Sequence, residues 1–152
     1  GNTAALAHVG DSRIYIIRDS QIEQLSEDHS FVVEQVKRGI ITEEEAERSE
    51  LKNIIVRALG AEEEVEVTLD EVPILENDYF LLCSDGLTDM LTDEEIKETV
   101  LKNGDDPQKA CDKLVNMANK KGGVDNITVV LVNFRDVRKR GILGLLKRIF
   151  HI

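Results

Sequence analysis

Cysteine is scarce in this chain. There are two, Cys83 in an apolar run and Cys111 in a helical pattern, and neither belongs to a CxxC pair or a zinc-ligand spacing. A thiolate metal centre is thereby excluded, and both are expected as buried, reduced thiols. Long apolar stretches are missing too: no run reaches the 18 residues that a membrane-spanning helix needs. Nothing at the start reads as a signal peptide, so a cytoplasmic, reducing compartment is expected. Positive charge is in short supply, with 19 Lys and Arg against 30 Asp and Glu and a net charge of −11. Phosphate repulsion would oppose general nucleic-acid binding. There is no D-x-D-x-D-G loop of the EF-hand type, which weakens a generic calcium-binding reading, and there is no internal repeat or low-complexity segment. An initiating Met is also lacking: Gly1 leads almost directly into a strand-like segment, and the expectation is a chain cut from something longer.

What is present is enough for one domain: 152 residues, 41% of them apolar. Residues 3–9 and 13–18 read as strands around the tight turn GDS, which predicts a hairpin. Residues 21–25 offer a third strand. The period then turns helical, with Val32, Val33 and Val36 on one face and Gly39 as the stop. Thr42 with Glu45 and Thr92 with Glu95 have capping-box spacing, and Pro107 suits the first turn of a helix running to Ala118. Val65, Val67 and Leu69 alternate with polar residues as in a half-buried strand. Residues 79–83 are apolar throughout and predict a central strand, and residues 127–134, nearly all apolar, predict the last strand. The fold class expected is mixed α/β (α+β) with largely antiparallel pairing, and residues 28–60 look like an excursion from the sheet.

The stretch YFLLCSDGLTDML places Asp85, Gly86 and Asp89 at the exit of an apolar strand. Asp11 in HVGDSR and Asp125 in GGVDNITVVLV share that grammar: an acidic residue in a turn at a strand end, beside Gly or Asn. Any one of them taken alone is readily a turn former or a helix cap. If the strand ends coincide, four carboxylates meet, their repulsion calls for cations, and oxygen-only ligation selects magnesium, manganese or calcium over zinc. Gly10, Gly86 and Gly123 would let the backbone approach an ion or its water closely.

HVGDSRIYI, LSEDHSFVVEQVKRGIITEEEA, NIIVRALG, LLCSDGLTDML and GGVDNITVVLV resemble successive signature blocks of the metal-dependent serine/threonine phosphatases of type 2C. The resemblance covers about residues 1–134 and implies a β-sandwich flanked by helices, truncated at its N-terminus. It implies two Mn2+ or Mg2+ ions, with Asp85 and Asp125 on one of the pair, and Asp11 and Asp89 joining Asp85 around a third. Gly86 belongs to the backbone of that site. Residues 28–60 correspond to the family's flap, marked by Asp28, Ser30, Gly39, Arg57 and Gly60. The implied substrates are phosphoserine and phosphothreonine proteins, products of a serine/threonine kinase. The family's early acidic residue, phosphate-gripping Arg and DGMGGH-like segment do not occur here, so the 152 residues alone are expected to be inactive or nearly so. The competing reading is a non-catalytic type 2C-like interaction module.

Of the remaining polar residues, His8 is expected as a partly buried strand residue rather than an acid, and His29 as a cap or turn former. Arg13 is expected to orient a nearby carboxylate, and Arg57 to anchor the flap. Ser12 and Ser84 have no His or Lys in the local pattern to activate them, so a serine nucleophile is rejected. Residues 135–152 carry six basic residues against Asp136 alone, leaving the tail at +5 and the remainder at −16. From Gly141 onward the apolar residues fall at helical spacing. That segment is expected either as a basic amphipathic helix making weak peripheral contact with a membrane surface or an acidic partner, or as a tail packed on its own domain.

Overall fold

The computed structural model describes residues 2–135 and Val137. Its strands are β1 (Thr3–His8), β2 (Arg13–Arg18), β3 (Gln21–Gln24), β4 (Thr68–Pro73), β5 (Tyr79–Cys83) and β6 (Val129–Asn133). Its helices are α1 (Phe31–Lys37), α2 (Glu43–Glu47), α3 (Asp85–Thr88), α4 (Asp93–Asn103) and α5 (Pro107–Lys120). Pairing is antiparallel throughout: one sheet runs β3-β2-β5-β6, and β1 and β4 form the other. The apolar strands β2 and β5 are central, as their composition requires.

In β2 the four residues Ile14 to Ile17 are all buried, which a strand achieves only when both faces are covered. Tyr15 and Ile17, with Leu81 and Cys83 from β5, pack against Leu87, Leu91, Ile96, Val100, Leu114 and Ala118 of the helical layer. Each fully buried Leu or Ile there contributes about 1.5–3 kcal/mol of transfer free energy. On the opposite face Ile14, Ile16 and Phe80 meet Ala4 and Leu6 of β1, Val72 of β4, and Phe134. Helices, four-stranded sheet and two-stranded sheet thus form successive layers, the β-sandwich with flanking helices that the sequence implies.

Several local expectations are corrected. β1 and β2 do not form a hairpin; the turn at Gly10, with φ +106, carries the chain from one sheet to the other. The reason is that β2 is apolar on both faces, so β1 serves it as a cover rather than as an edge partner. The strand expected around Val65 starts only at Thr68, and Leu69 stands 75% exposed on the wet face. Thr68 is exposed as well, its Oγ1 within 3.0 Å of His29 Nε2, and Val72 is the residue of β4 that turns toward the core. Cys83 is buried and its thiol is pushed up to about 12, chiefly by that burial, whereas Cys111 is only half-buried. Both capping boxes form, at Thr42 with Glu45 and at Thr92 with Glu95. No helix among the described residues is long and apolar enough to cross a membrane. The amphipathic segment expected from Gly141 onward lies outside the described residues.

Candidate functional site

β5 ends at Cys83, and Ser84 N-caps the four-residue helix α3, which the sequence reading did not anticipate. Asp85 therefore opens α3 and Asp89 closes it as C-cap. Ser84 ties this corner to the loop before β6. Its N–H donates to Thr128 O at 3.1 Å, its Oγ donates to Asn126 O at 2.8 Å, and it accepts from Thr128 N at 3.0 Å. Ser84 is thereby committed to structure, in line with its rejection as a nucleophile.

Gly86 makes the corner tighter still. A Cβ there would stand 2.4 Å from the Asn126 carbonyl oxygen and 3.0 Å from its carbon. What Gly86 approaches closely is the carbonyl of Asn126, the residue after Asp125. Asp85 and Asp125 are so brought together by their backbones. Each spends one carboxylate oxygen on the next residue's amide: Gly86 N–H donates to Asp85 Oδ1 at 2.8 Å, and Asn126 N–H donates to Asp125 Oδ1 at 2.6 Å. Gly123, with φ +54, lies in the loop that delivers Asp125.

Asp11 and Asp89 complete the constellation around Asp85. The Asp85 carboxyl is pushed above its ordinary value first by burial and then by the negative charge of Asp11. The Gly86 amide pulls the other way, and Asp125 and Asp89 add to the rise. All four carboxylates therefore share one edge of the molecule. Beside this edge a cavity of about 410 Å³ is lined by His8, Ser12, Arg13, Ser84 and Thr128, and none of the four carboxylates lines it. Lys52 reaches from the 28–60 segment to Asp89 Oδ1 at 3.4 Å. Asp11 has no hydrogen bond or ion pair among the described residues. The donors are hard oxygens, and Asp11, Asp85 and Asp125 make no ion pair among the described residues, which fits a divalent ion of the magnesium and manganese type. As placed, the set is partial: no three His, Cys, Asp or Glu among the described residues stand close enough to hold a metal between them.

The 28–60 segment begins at the site itself. Arg13 meets Asp28 in a forked pair, with Nε at 3.1 and 3.0 Å and Nη2 at 2.7 Å from its oxygens. That is the carboxylate-orienting role expected of Arg13. Ser30 N-caps α1 by accepting from Val33 N, and Gly39, with φ +67, follows the Arg38 C-cap. Gly60 adopts φ +82 at the far end. Arg57 pairs with Glu66 at 3.0 Å and lies beside His29. His8 is buried, with Nε2 donating to Ser12 O at 2.7 Å. His29 departs from the sequence reading: it is neither cap nor turn former but a buried residue bonded to Gly10 and near Thr68. Nothing in the string DHS distinguishes such a His from an exposed one.

The family model described as Protein phosphatase 2C matches residues 1–38 and 58–127. The chain belongs to the protein phosphatase 2C family. The family model leaves 39–57 and 128–152 unmatched, and the first of these stretches falls inside the segment read as the flap. Among relatives, the serine/threonine phosphatase stp of Listeria monocytogenes is 45% identical over 136 residues, covering 90% of this chain and 53% of that protein. The Streptococcus agalactiae serine/threonine phosphatase structure superposes with a TM-score of 0.82 at 40% identity, over 90% of this chain and 55% of that one. A PstP catalytic domain solved with two manganese ions gives a TM-score of 0.74 at 40% identity, over 90% of this chain and 55% of that one. The chain thus spans about half the length of the curated relatives it matches.

Proposed function

We propose that this chain supplies part of the metal centre of a protein phosphatase that hydrolyses phosphoserine and phosphothreonine, using Mn2+ or Mg2+. The observation that carries the reading is the half-buried Asp85 carboxyl, ringed by the charges of Asp11, Asp125 and Asp89 and lacking a cationic partner. Family membership and the manganese-bound relative support it. Asp85 and Asp125 would hold one ion of a catalytic pair. Asp11 and Asp89, with Asp85, would hold a third, and water and residues from elsewhere in the full-length protein would complete the coordination. Bound there, such cations lower the pKa of a water for attack at phosphorus and offset the charge of the phosphoryl oxygens. The chain's own residues set the ligands: Ser84 and Gly86 hold Asp85 against the Asp125 loop, and Lys52 holds Asp89 to the flap formed by residues 28–60. Arg13 and Arg57 are spent on Asp28 and Glu66, so the phosphate-gripping cation is another residue of the full-length protein.

The substrates are phosphorylated proteins produced by a serine/threonine kinase. The full-length protein with Mn2+ is expected to release phosphate from a phosphothreonine peptide, and Asp85→Asn is expected to lower kcat/KM by at least about 100-fold. Turnover unchanged in Asp85→Asn refutes the metal assignment. The 152 residues alone are expected to be inactive; Mn2+-dependent turnover of p-nitrophenyl phosphate above an Asp85→Asn control would overturn that. A full-length protein that binds phosphoproteins without turnover would favour the interaction module instead.

A further inference from the structure

Asp11 has the least support of the four carboxylates. Without a hydrogen bond or ion pair of its own, its position is inherited from the backbone of the turn that carries it. Gly10, just before it, adopts φ +106, a conformation that side-chain-bearing residues rarely reach. Two contacts from one residue 19 positions away hold that glycine. Its N–H donates to His29 Nδ1 at 3.1 Å, and its carbonyl accepts from His29 N–H at 2.8 Å. Accepting at Nδ1 requires a neutral ring with its proton on Nε2, which then donates to Thr68 Oγ1 at 3.0 Å. Burial first, then the positive charge of Arg57, hold His29 below its ordinary value and favour that neutral form.

The same residue joins the other end of the 28–60 segment. Val56 N–H donates to His29 O at 2.9 Å, Phe31 N–H donates to Ile54 O at 2.8 Å, and Ser30 bridges Ile55 between them. The His8 ring packs at 4.9 Å from that of His29 and closes the turn from within through Ser12 O.

Resting on the metal reading given above, we propose that His29 is a positioning residue: by clamping Gly10 it sets the Asp11 carboxylate, and by bonding Val56 it ties that placement to the flap. It touches neither metal nor substrate. Its effect is on the affinity of the ion that Asp11 ligates, and through Val56 that affinity depends on where the flap sits.

The test is Mn2+ titration of the full-length protein by electron paramagnetic resonance, comparing wild type, Asp11→Asn, Asp85→Asn, Asp125→Asn, His29→Leu and His29→Asn. Removal of a group that orients a metal ligand costs about 10- to 100-fold in metal affinity. His29→Leu is expected to weaken the Asp11-dependent site by that much and leave the Asp125-dependent site unchanged. Asn, whose amide oxygen can stand where Nδ1 stood, is expected to restore most of the loss. In the Asp11→Asn background His29→Leu should have no further effect, because both changes then act on one site. Equal Mn2+ affinity in wild type and His29→Leu overturns the positioning role while leaving the metal reading intact. Mn2+ binding insensitive to both Asp11→Asn and Asp85→Asn overturns both. Should His29→Leu fail to fold, Thr68→Val serves instead. It removes one hydrogen bond from the ring and is expected to weaken the same site by about 2- to 10-fold, and no change there refutes the proposal.

Discussion

Gly86 shows how one atom decides a position. Its absent Cβ makes room for the Asn126 carbonyl, and both obstructing atoms are backbone, so no rotamer change relieves the clash. Gly86→Ala is expected to cost about 1–3 kcal/mol, the usual penalty for overpacking. Urea denaturation checks it, and an unchanged midpoint would show that the Asp85 and Asp125 loops are not in contact. The sequence pointed to close backbone approach at Gly86 without showing what lies opposite, since a glycine in a turn reads the same whether an ion or a peptide is there. The aspartates were legible because turn chemistry brackets each of them. His29 was not, because its partners lie 19 and 39 residues away.

At the scale of elements, local chemistry predicted best where local bonds settle the outcome. Thr92 and Thr42 head capping boxes of the same kind, yet their helices differ in anchorage. α4 buries Ile96, Thr99 and Val100, and its Glu95 also pairs with Lys121, the C-cap of α5, at 2.6 Å. α2 buries Ala46 alone. Thr92→Ala is therefore expected to lower global stability by about 1 kcal/mol, with a melting temperature some 2–4 °C lower. Thr42→Ala should stay within about 0.5 kcal/mol, since a short exposed helix frays without unfolding the rest. Paired thermal melts of the two variants decide this; equal losses would contradict it. The failed hairpin and the misplaced face of Leu69 have one origin. Alternation identifies a strand, but which strand it pairs with, and which face is inward, depends on partners elsewhere in the chain.

For the molecule as a whole, the far end of the sandwich is tied by a pair that the sequence did not reveal. Arg18, at the end of β2, reaches Asp78 at 2.7 Å and also donates to Pro73 O at the end of β4. Asp78 is 1% exposed, accepts from Leu75 N, and its carbonyl accepts from Phe134 N. Burial works to raise the Asp78 carboxyl, but the Arg18 hydrogen bonds, the Leu75 amide and the Arg18 charge outweigh it and hold it below its ordinary 3.8. Arg18→Met leaves a buried carboxylate without its cation and is expected to cost about 3–5 kcal/mol at pH 7. A carboxyl whose folded-state value is lowered stabilises the fold above its ordinary value, and that contribution is lost as pH falls through the lowered one. The gap between wild type and Arg18→Met should accordingly close in acid, as denaturation midpoints from pH 7 down to about pH 2 would show; a gap constant over that range would remove the ion pair as its cause.

By itself the sequence determined most of the inventory: nearly all the strands and the longer helices, where those helices start, and which three strand ends carry the four carboxylates. It also determined the kinship, because the signature blocks stand in order along the chain. Only the tertiary structure decided which strands share a sheet, that Asp85 and Asp125 meet through Gly86 and Asn126, and that His29 holds the Asp11 turn. The physical reason is range. Caps, turns and alternation act over a few residues and leave their mark in adjacent letters, whereas layer order and side-chain clasps are settled by packing between segments far apart in the chain.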